Sequence, residues 1–342
     1  MRSIAWMLCG LPLLAGATDV SPAVPTSQDT AIEEVLVTGQ QPGPGLWKVT
    51  RDGAAGDHVL WILGNYSPLP KKMQWRSHDV EAVLTGAEEV LSPPNVEAEV
   101  GFFGTLAVLP TLIGAKRNPN DALLRDVVTP DLYLRWLPLK ERYLGRDDDP
   151  EEWRPIFAAQ ALYLAALDKK GLVPYDGIWP DVQKLARRAR VKVTTPEVSF
   201  KFDKARAAMK EFKAMPLADT ECFARTITRL ETDMDLVRER ANAWAVGDIE
   251  RLRKLAPVER ASACIGALLD SSLARERGLT DMPERLKTAW VTEAERAFAQ
   301  NRTTLAVLPV EEILKPNGYV AQLRARGYAV TRYGYMMLRD LA

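Results

Sequence analysis

His58-Val59-Leu60-Trp61-Ile62-Leu63, running into Gly64-Asn65-Tyr66-Ser67 and then Pro68-Leu69-Pro70, is the stretch on which the fold turns. From Val59 to Leu63 every residue is apolar. Such a run, without polar alternation, reads as a strand buried on both faces. Gly64 ends it, and the two prolines force a loop. Ser77 is expected to cap a helix reaching about Leu91. The strand therefore presents Asn65, Tyr66 and Ser67 at its C-terminal end, where open α/β sheets hold their ligands. Upstream, Leu46-Trp47-Lys48-Val49-Thr50 opens the folded part, with a turn at Gly53 to Gly56 before the deciding strand.

Downstream the chain reads as helical, with brief β interruptions. Asp149-Pro150-Glu151-Glu152 is an acid-rich helix start, with Asp as cap, Pro in the first turn and acids facing the dipole, rather than a metal site. A short β-like run from Val191 to Val198 carries Glu197. Phe223, Ile227, Leu230, Met234, Val237, Ala241 and Trp244 are spaced alternately four and three apart, the buried packing face of one helix. Gly247-Asp248 ends that helix and caps the next. Strand-like Thr304 to Leu308, a helix from about Pro316 to Arg326 and strand-like Tyr328 to Arg332 return the chain to the sheet. The expected fold is α+β: a split central β-sheet with flanking helices and a large helical insertion at about 120–300, within one domain spanning 46–342.

The 342 residues are 47% hydrophobic, with 45 Lys+Arg against 45 Asp+Glu. That composition builds an ordinary core, and a neutral chain lacks the positive field that holds a nucleic-acid backbone. Two histidines and three cysteines exclude a His-rich zinc site or a Cys₄ ribbon. Arg2, the apolar stretch 4–14 and Ala15-Gly16-Ala17 form an export layout, so a signal peptide at 1–17, cleaved after Ala17, is expected. The mature protein is then periplasmic or secreted and not an integral membrane protein, since stretch 4–14 is too short to span. Pro, Gln, Gly, Thr and Ser make 18–45 a flexible linker, in which 32–39 reads as a short edge strand or as linker. Cys222 and Cys264 remain after cleavage. In an oxidising compartment they most simply form one disulfide, the alternative being two buried free thiols. The uncharged run 102–115, FFGTLAVLPTLIGA, reads as buried core or cleft wall.

Several stretches together resemble the TraB/GumN family: Gly45-Leu46-Trp47-Lys48-Val49, Leu60-Trp61-Ile62-Leu63-Gly64, Trp75-Arg76-Ser77 with Val80-Glu81, Trp153-Arg154-Pro155-Ile156, and Pro316-Asn317-Gly318 with Arg326-Gly327-Tyr328. That family is related to the Tiki metalloproteases, so the resemblance implies an α+β fold of metallopeptidase ancestry. Two Gly-x-x-His motifs, each after a strand, would bring two imidazoles to one metal. Here the first reads Gly64-Asn65-Tyr66-Ser67, and the second falls at Pro309-Val310-Glu311-Glu312. Serine and glutamate thus stand where the histidines belong, and the Arg-Asn pair expected before the last long helix reads Leu286-Lys287. Glu197 is the ancestral acid that can be placed. His58 lies at the far end of its strand, about 20 Å away; His78, after the loop, could swing in.

The resemblance, with both histidines replaced, implies a catalytically degenerate peptidase-fold protein. It would bind an envelope peptide, glycan or protein in the former cleft, formed by Gly64, Asn65, Tyr66, Ser67 and Glu312. The alternative is a hydrolase with a site rebuilt from Ser67, Glu197 and Glu312, marked by their convergence on one point. No cofactor is expected; two carboxylates and a hydroxyl suit a weakly held magnesium or calcium better than zinc.

Overall fold

A computed structural model describes residues 43–51, 58–99, 114–174, 176–201, 204–256 and 261–333. The expected signal peptide, nearly all of the linker with its segment 32–39, the turn at 53–56 and the run 102–113 lie outside these residues.

Strands β1 (Leu46–Thr50) and β2 (Val59–Asn65) are followed by β3 (Leu69–Pro70), helix α1 (His78–Gly86), β4 (Glu89–Leu91) and β5 (Asn95–Glu99). A helix-rich stretch then runs through α2 (Leu124–Val127), α3 (Pro130–Tyr143), α4 (Pro155–Lys169), β6 (Leu172–Val173), α5 (Trp179–Ala189), β7 (Lys192–Thr194), β8 (Glu197–Lys201) and α6 (Ala205–Ala214). It continues with α7 (Thr220–Thr232), α8 (Val237–Ala245), α9 (Ile249–Lys254), α10 (Ala261–Leu269), α11 (Ser272–Glu276) and α12 (Met282–Gln300). The described chain closes with β9 (Thr303–Pro309), α13 (Val310–Leu314), α14 (Tyr319–Ala325) and β10 (Ala329–Tyr333).

The fold is α+β, with a mixed six-stranded central sheet in the order β10-β1-β2-β9-β4-β7 flanked by helices. β1 runs antiparallel to both β10 and β2. β2, β9, β4 and β7 are parallel. The apolar β2 sits between β1 and β9, and β9, equally apolar, is buried along nearly its whole length. Their register pairs Gly64 with Leu308 and Asn65 with Pro309. The sheet therefore brings the C-terminal ends of β2 and β9 side by side.

Two hydrophobic clusters organise the helices. One packs α1, α5, α8, α9, α12, α13 and α14 on the sheet. The other, built around Trp136, Leu162 and Phe223, joins α2, α3, α4 and α7. The stretch expected as an insertion therefore feeds both: Val182, Trp244 and Trp290 belong to the sheet cluster, and β7 is an edge strand of the sheet itself. Among the described residues no helix is long and apolar enough to cross a membrane.

Local expectations fare unevenly. The helix after Ser77 ends at Gly86, and Glu89–Leu91 is a fully buried strand. The Ser77 hydroxyl donates to Glu81 instead of accepting from the helix backbone. Asp149–Glu152 is a single 3₁₀ turn, and the α-helix starts at Pro155. All seven residues of the 223–244 stripe are buried, but the helix breaks at Asp233 between α7 and α8. Asp248 caps α9, accepting from the Arg251 amide at 3.0 Å.

The buried Glu89 explains how a charged residue occupies β4. Thr194 Oγ1 donates to it, Arg296 Nη2 donates at 2.6 Å, Asn301 Nδ2 donates at 2.8 Å, and Lys192 Nζ lies 3.5 Å away. Burial pushes its carboxyl upward, but the hydrogen bonds from Thr194, Arg296 and Asn301 outweigh that and bring it down to about 2. A folded value below the unfolded one means stability that is full above about pH 4.5 and lost as pH falls toward 2. Urea unfolding of wild type and Glu89→Gln is expected to show a gap of up to about 3 kcal/mol at pH 6, shrinking toward pH 2.5. A gap independent of pH would contradict this assignment.

Candidate functional site

The site grows from the two adjacent strand ends. At Gly64, an added Cβ would lie 2.9 Å from the Trp47 ring, so glycine lets Trp47 pack across β2. Trp244 Nε1 donates to the Gly64 carbonyl at 2.7 Å. Asn65 spans to the neighbouring turn: its Nδ2 donates to the Asp176 carbonyl at 3.1 Å, and the Ile178 amide donates to its Oδ1 at 2.9 Å. Gly177, at φ +53°, is fitted against that side chain. Tyr66 turns inward and is 2% exposed. Burial pushes its phenol up to about 12, despite Arg240, whose Nε donates to the hydroxyl at 3.0 Å. Arg240 is itself held by Asp233 through two hydrogen bonds of 2.6 and 2.7 Å. This buried link ties the strand end to the α7–α8 break.

Beyond the strand ends lies a cavity of about 980 Å³. Asn65, Ser67, Pro309, Glu311 and Glu312 form its sheet side. Tyr163 and Leu167 of α4, Arg229 of α7 and Ala261, Ile265, Gly266 and Leu269 of α10 also line it. Trp179, Gln183, Asn95, Thr195, Ser92, Asp176 and Lys315 complete the walls, together with five further prolines, among them Pro68, Pro93 and Pro94. Prolines are rigid and bring no N–H donor, so much of the wall is apolar or acceptor-only. Arg229 stacks its guanidinium 5.4 Å from the centre of the Tyr163 ring, with its Nε 3.6 Å from Asp233. Glu312 is ion-paired with Lys315. An added Cβ on Gly318 would meet the Glu312 carbonyl at 2.0 Å, so Pro316-Asn317-Gly318 is the turn that clamps α13 in place.

Of the residues expected in the cleft, Asn65, Ser67 and Glu312 line the cavity, whereas Gly64 and Tyr66 support it from behind. Glu197 is the exposed first residue of β8, pairs in register with Asn95, and is not among the residues lining the cavity. The triad of Ser67, Glu197 and Glu312 is therefore not assembled around this cavity. His78 is exposed at the start of α1. His58 contacts the Asn301 carbonyl through Nδ1 at 2.8 Å, at the opposite end of β2. Leu286 and Lys287 lie inside α12, not before it.

Sequence reasoning missed Glu311, Arg229 and the Asp233–Arg240 pair. The available signal was three ionisable residues, Arg229, Asp233 and Arg240, spaced four and seven apart on an apolar stripe.

A model described as the TraB/PrgY/gumN family matches residues 45–332. The chain belongs to the TraB/PrgY/gumN family. The match opens one residue before β1 and closes within β10, so it takes in all six strands of the central sheet. Searches of curated proteins and of solved structures find no match.

In this TraB/PrgY/gumN chain the two positions that the motif reading assigns to histidines, Ser67 and Glu312, do share one cavity. Their chemistry does not fit the metal that the resemblance implies. A neutral hydroxyl binds zinc weakly, and Glu312 is already paired with a cation. Among the described residues no three His, Cys, Asp or Glu side chains are grouped to hold one.

The same cavity owes one wall to a covalent link. Cys222 on α7 and Cys264 on α10 form a disulfide across 42 positions of sequence.

Proposed function

We propose that this is an exported member of the family, periplasmic or secreted, that binds an extended, largely apolar peptide segment of an envelope protein in the cavity without cleaving it. The observation that carries the reading is the cavity wall: most of its surface is apolar, with six prolines, Trp179, Leu167, Ile265 and Leu269 among the lining residues. Several of its polar groups are already engaged, with both amide atoms of Asn65 committed, the Ser92 hydroxyl donating to Pro93 and Glu312 paired with Lys315. A glycan needs many free hydrogen-bond partners and is poorly served by such a surface, whereas apolar side chains are well served. Hydrolysis would require a base in reach of Ser67. Glu312 is engaged in an ion pair with Lys315, and neither Glu197 nor His78 lines the cavity, which leaves Glu311 as the other carboxylate there.

A second reading, a hydrolase with a rebuilt site, is favoured by Ser67, Glu311 and Glu312 sharing the cavity. Incubation with a peptide library, read by mass spectrometry for retention and for cleavage, separates the two. Retained, intact, apolar-rich peptides are expected; new termini that vanish in Ser67→Ala would establish the hydrolase. Elemental analysis of untagged protein purified without chelator is expected to find well under one zinc per chain. One zinc per chain, lost on Glu312→Ala, would restore the metallopeptidase.

A further inference from the structure

α10 reads Ala-Ser-Ala-Cys-Ile-Gly-Ala-Leu-Leu and carries no charge. A helix apolar all round is ordinarily buried. Here Ala267 is its one buried residue among those whose side chains are described, while Ile265 and Leu268 remain 51% and 40% exposed. Its main packing partners are α7 and the five-residue α11. Nine residues are too few to keep a helix in place by their own propensity, and apart from its contact with α7 the helix has little fully buried surface. The firm attachment is covalent: Cys264, half-buried, is bonded to Cys222, which is fully buried on α7. Ala261, Ile265, Gly266 and Leu269 of the same helix close one side of the cavity.

We infer that α10 is a lid on the cavity, latched to α7 by the Cys222–Cys264 bond, and that reducing this bond releases the lid and weakens apolar binding beneath it. The reductant is a dithiol. Its thiolate attacks Sγ of Cys264, the more accessible sulfur, and Cys222 leaves as a thiolate that takes up a proton. The second thiol of the reductant then resolves the mixed disulfide. Cys264 is released as a thiol and the reductant becomes a cyclic disulfide, so two electrons and two protons pass to the protein. With the latch closed, the wall of Ile265 and Leu269 is preorganised against a ligand; with it open, binding must also order the helix.

The lid motion stands independently of the binding role, while its effect on affinity rests on the cavity being the binding site. The test is hydrogen exchange of the folded chain at short labelling times, with and without dithiothreitol, alongside titration with the apolar probe 1-anilinonaphthalene-8-sulfonate. On reduction, amides of residues 261–269 are expected to exchange at least about tenfold faster, while β2 and β9 stay protected and probe affinity falls several-fold. Unchanged exchange in 261–269 overturns the latch. So does a loss of protection spread equally through β9, which would make the bond a staple of the whole fold. Faster exchange in 261–269 with no probe binding in either state supports the latch and removes the binding role. Cys264→Ser, measured without reductant, should reproduce the reduced pattern.

Discussion

Arg240→Ala is expected to lower the unfolding free energy by about 3–5 kcal/mol. Arg240 is fully buried, and its guanidinium holds both carboxylate oxygens of Asp233, the Tyr66 hydroxyl and the Leu255 carbonyl. Truncation removes these donors and leaves Asp233, 4% exposed, with Arg229 Nε at 3.6 Å as its nearest cationic neighbour. Breaking one side of a buried ion pair costs more than the pair contributes, because the remaining charge stays desolvated. The double variant Arg240→Met with Asp233→Leu should therefore recover most of the loss. Urea unfolding of the two variants decides this. A loss below about 1 kcal/mol in the single variant would show that the pair behaves like an exposed one.

Gly177→Ala should cost about 3 kcal/mol, adding the strain of a left-handed backbone to an overpacked contact. At φ +53° a new Cβ would fall 2.1 Å from Asn65 Oδ1 and 2.3 Å from the Tyr66 carbonyl. Neither can retreat cheaply: Asn65 is fixed by the Asp176 and Ile178 backbone, and Tyr66 by Arg240. Gly145→Ala is the control, since Gly145 has φ +69° with nothing within 4 Å of its added Cβ. It should lose only about 1 kcal/mol of conformational preference. Equal losses at the two sites would show that the contact with Asn65 carries no weight. Because Asn65 lines the cavity, Gly177→Ala should also weaken apolar probe binding, and Gly145→Ala should not.

These two expectations rest on features the sequence did not expose. β2 and β9 were legible because unbroken apolar runs have few other solutions, and the βαβ-like end showed that the chain returns to the sheet; that β9 lies parallel beside β2 was not read from the sequence. β4 was not, because Glu89 looks like a solvated helix residue until Arg296, Asn301 and Thr194, far away in sequence, arrive to satisfy it. The break at Asp233 was hidden for the same reason. A stripe spaced four and three apart predicts which face is buried, and it did. It is silent on a buried charge pair that interrupts the helix to reach Tyr66. At the site, Asn65, Ser67 and Glu312 were readable from strand ends and motif positions. Glu197 was placed by the resemblance alone; it pairs with Asn95 in a separate two-stranded sheet, and Asn95 lines the cavity while Glu197 does not.

The Trp153-Arg154-Pro155-Ile156 segment, one of the stretches that carry the resemblance, has a structural role. Arg154, 2% exposed, donates to the carbonyls of Arg117, Phe212 and Lys213 and so closes the C-terminal end of α6. The Ile156 amide donates to Asp219 at 2.9 Å, which joins the starts of α4 and α7. Burial raises the Asp219 carboxyl above its ordinary value. In this chain the segment thus holds helices α4, α6 and α7 together.

The most direct test of a binding cleft at these strand ends is the equilibrium retention of a peptide library by wild type and by Gly266→Trp. Gly266 lies on the cavity wall with open space around its added Cβ, whose nearest neighbour is Asp270 Oδ2 at 3.9 Å. An indole there should fill the cavity without disturbing the backbone. The account predicts that wild type retains apolar-rich peptides intact, and that the folded Gly266→Trp variant loses them by at least about tenfold, or 1.4 kcal/mol. Equal retention by the two proteins, or peptides recovered cleaved, would contradict it.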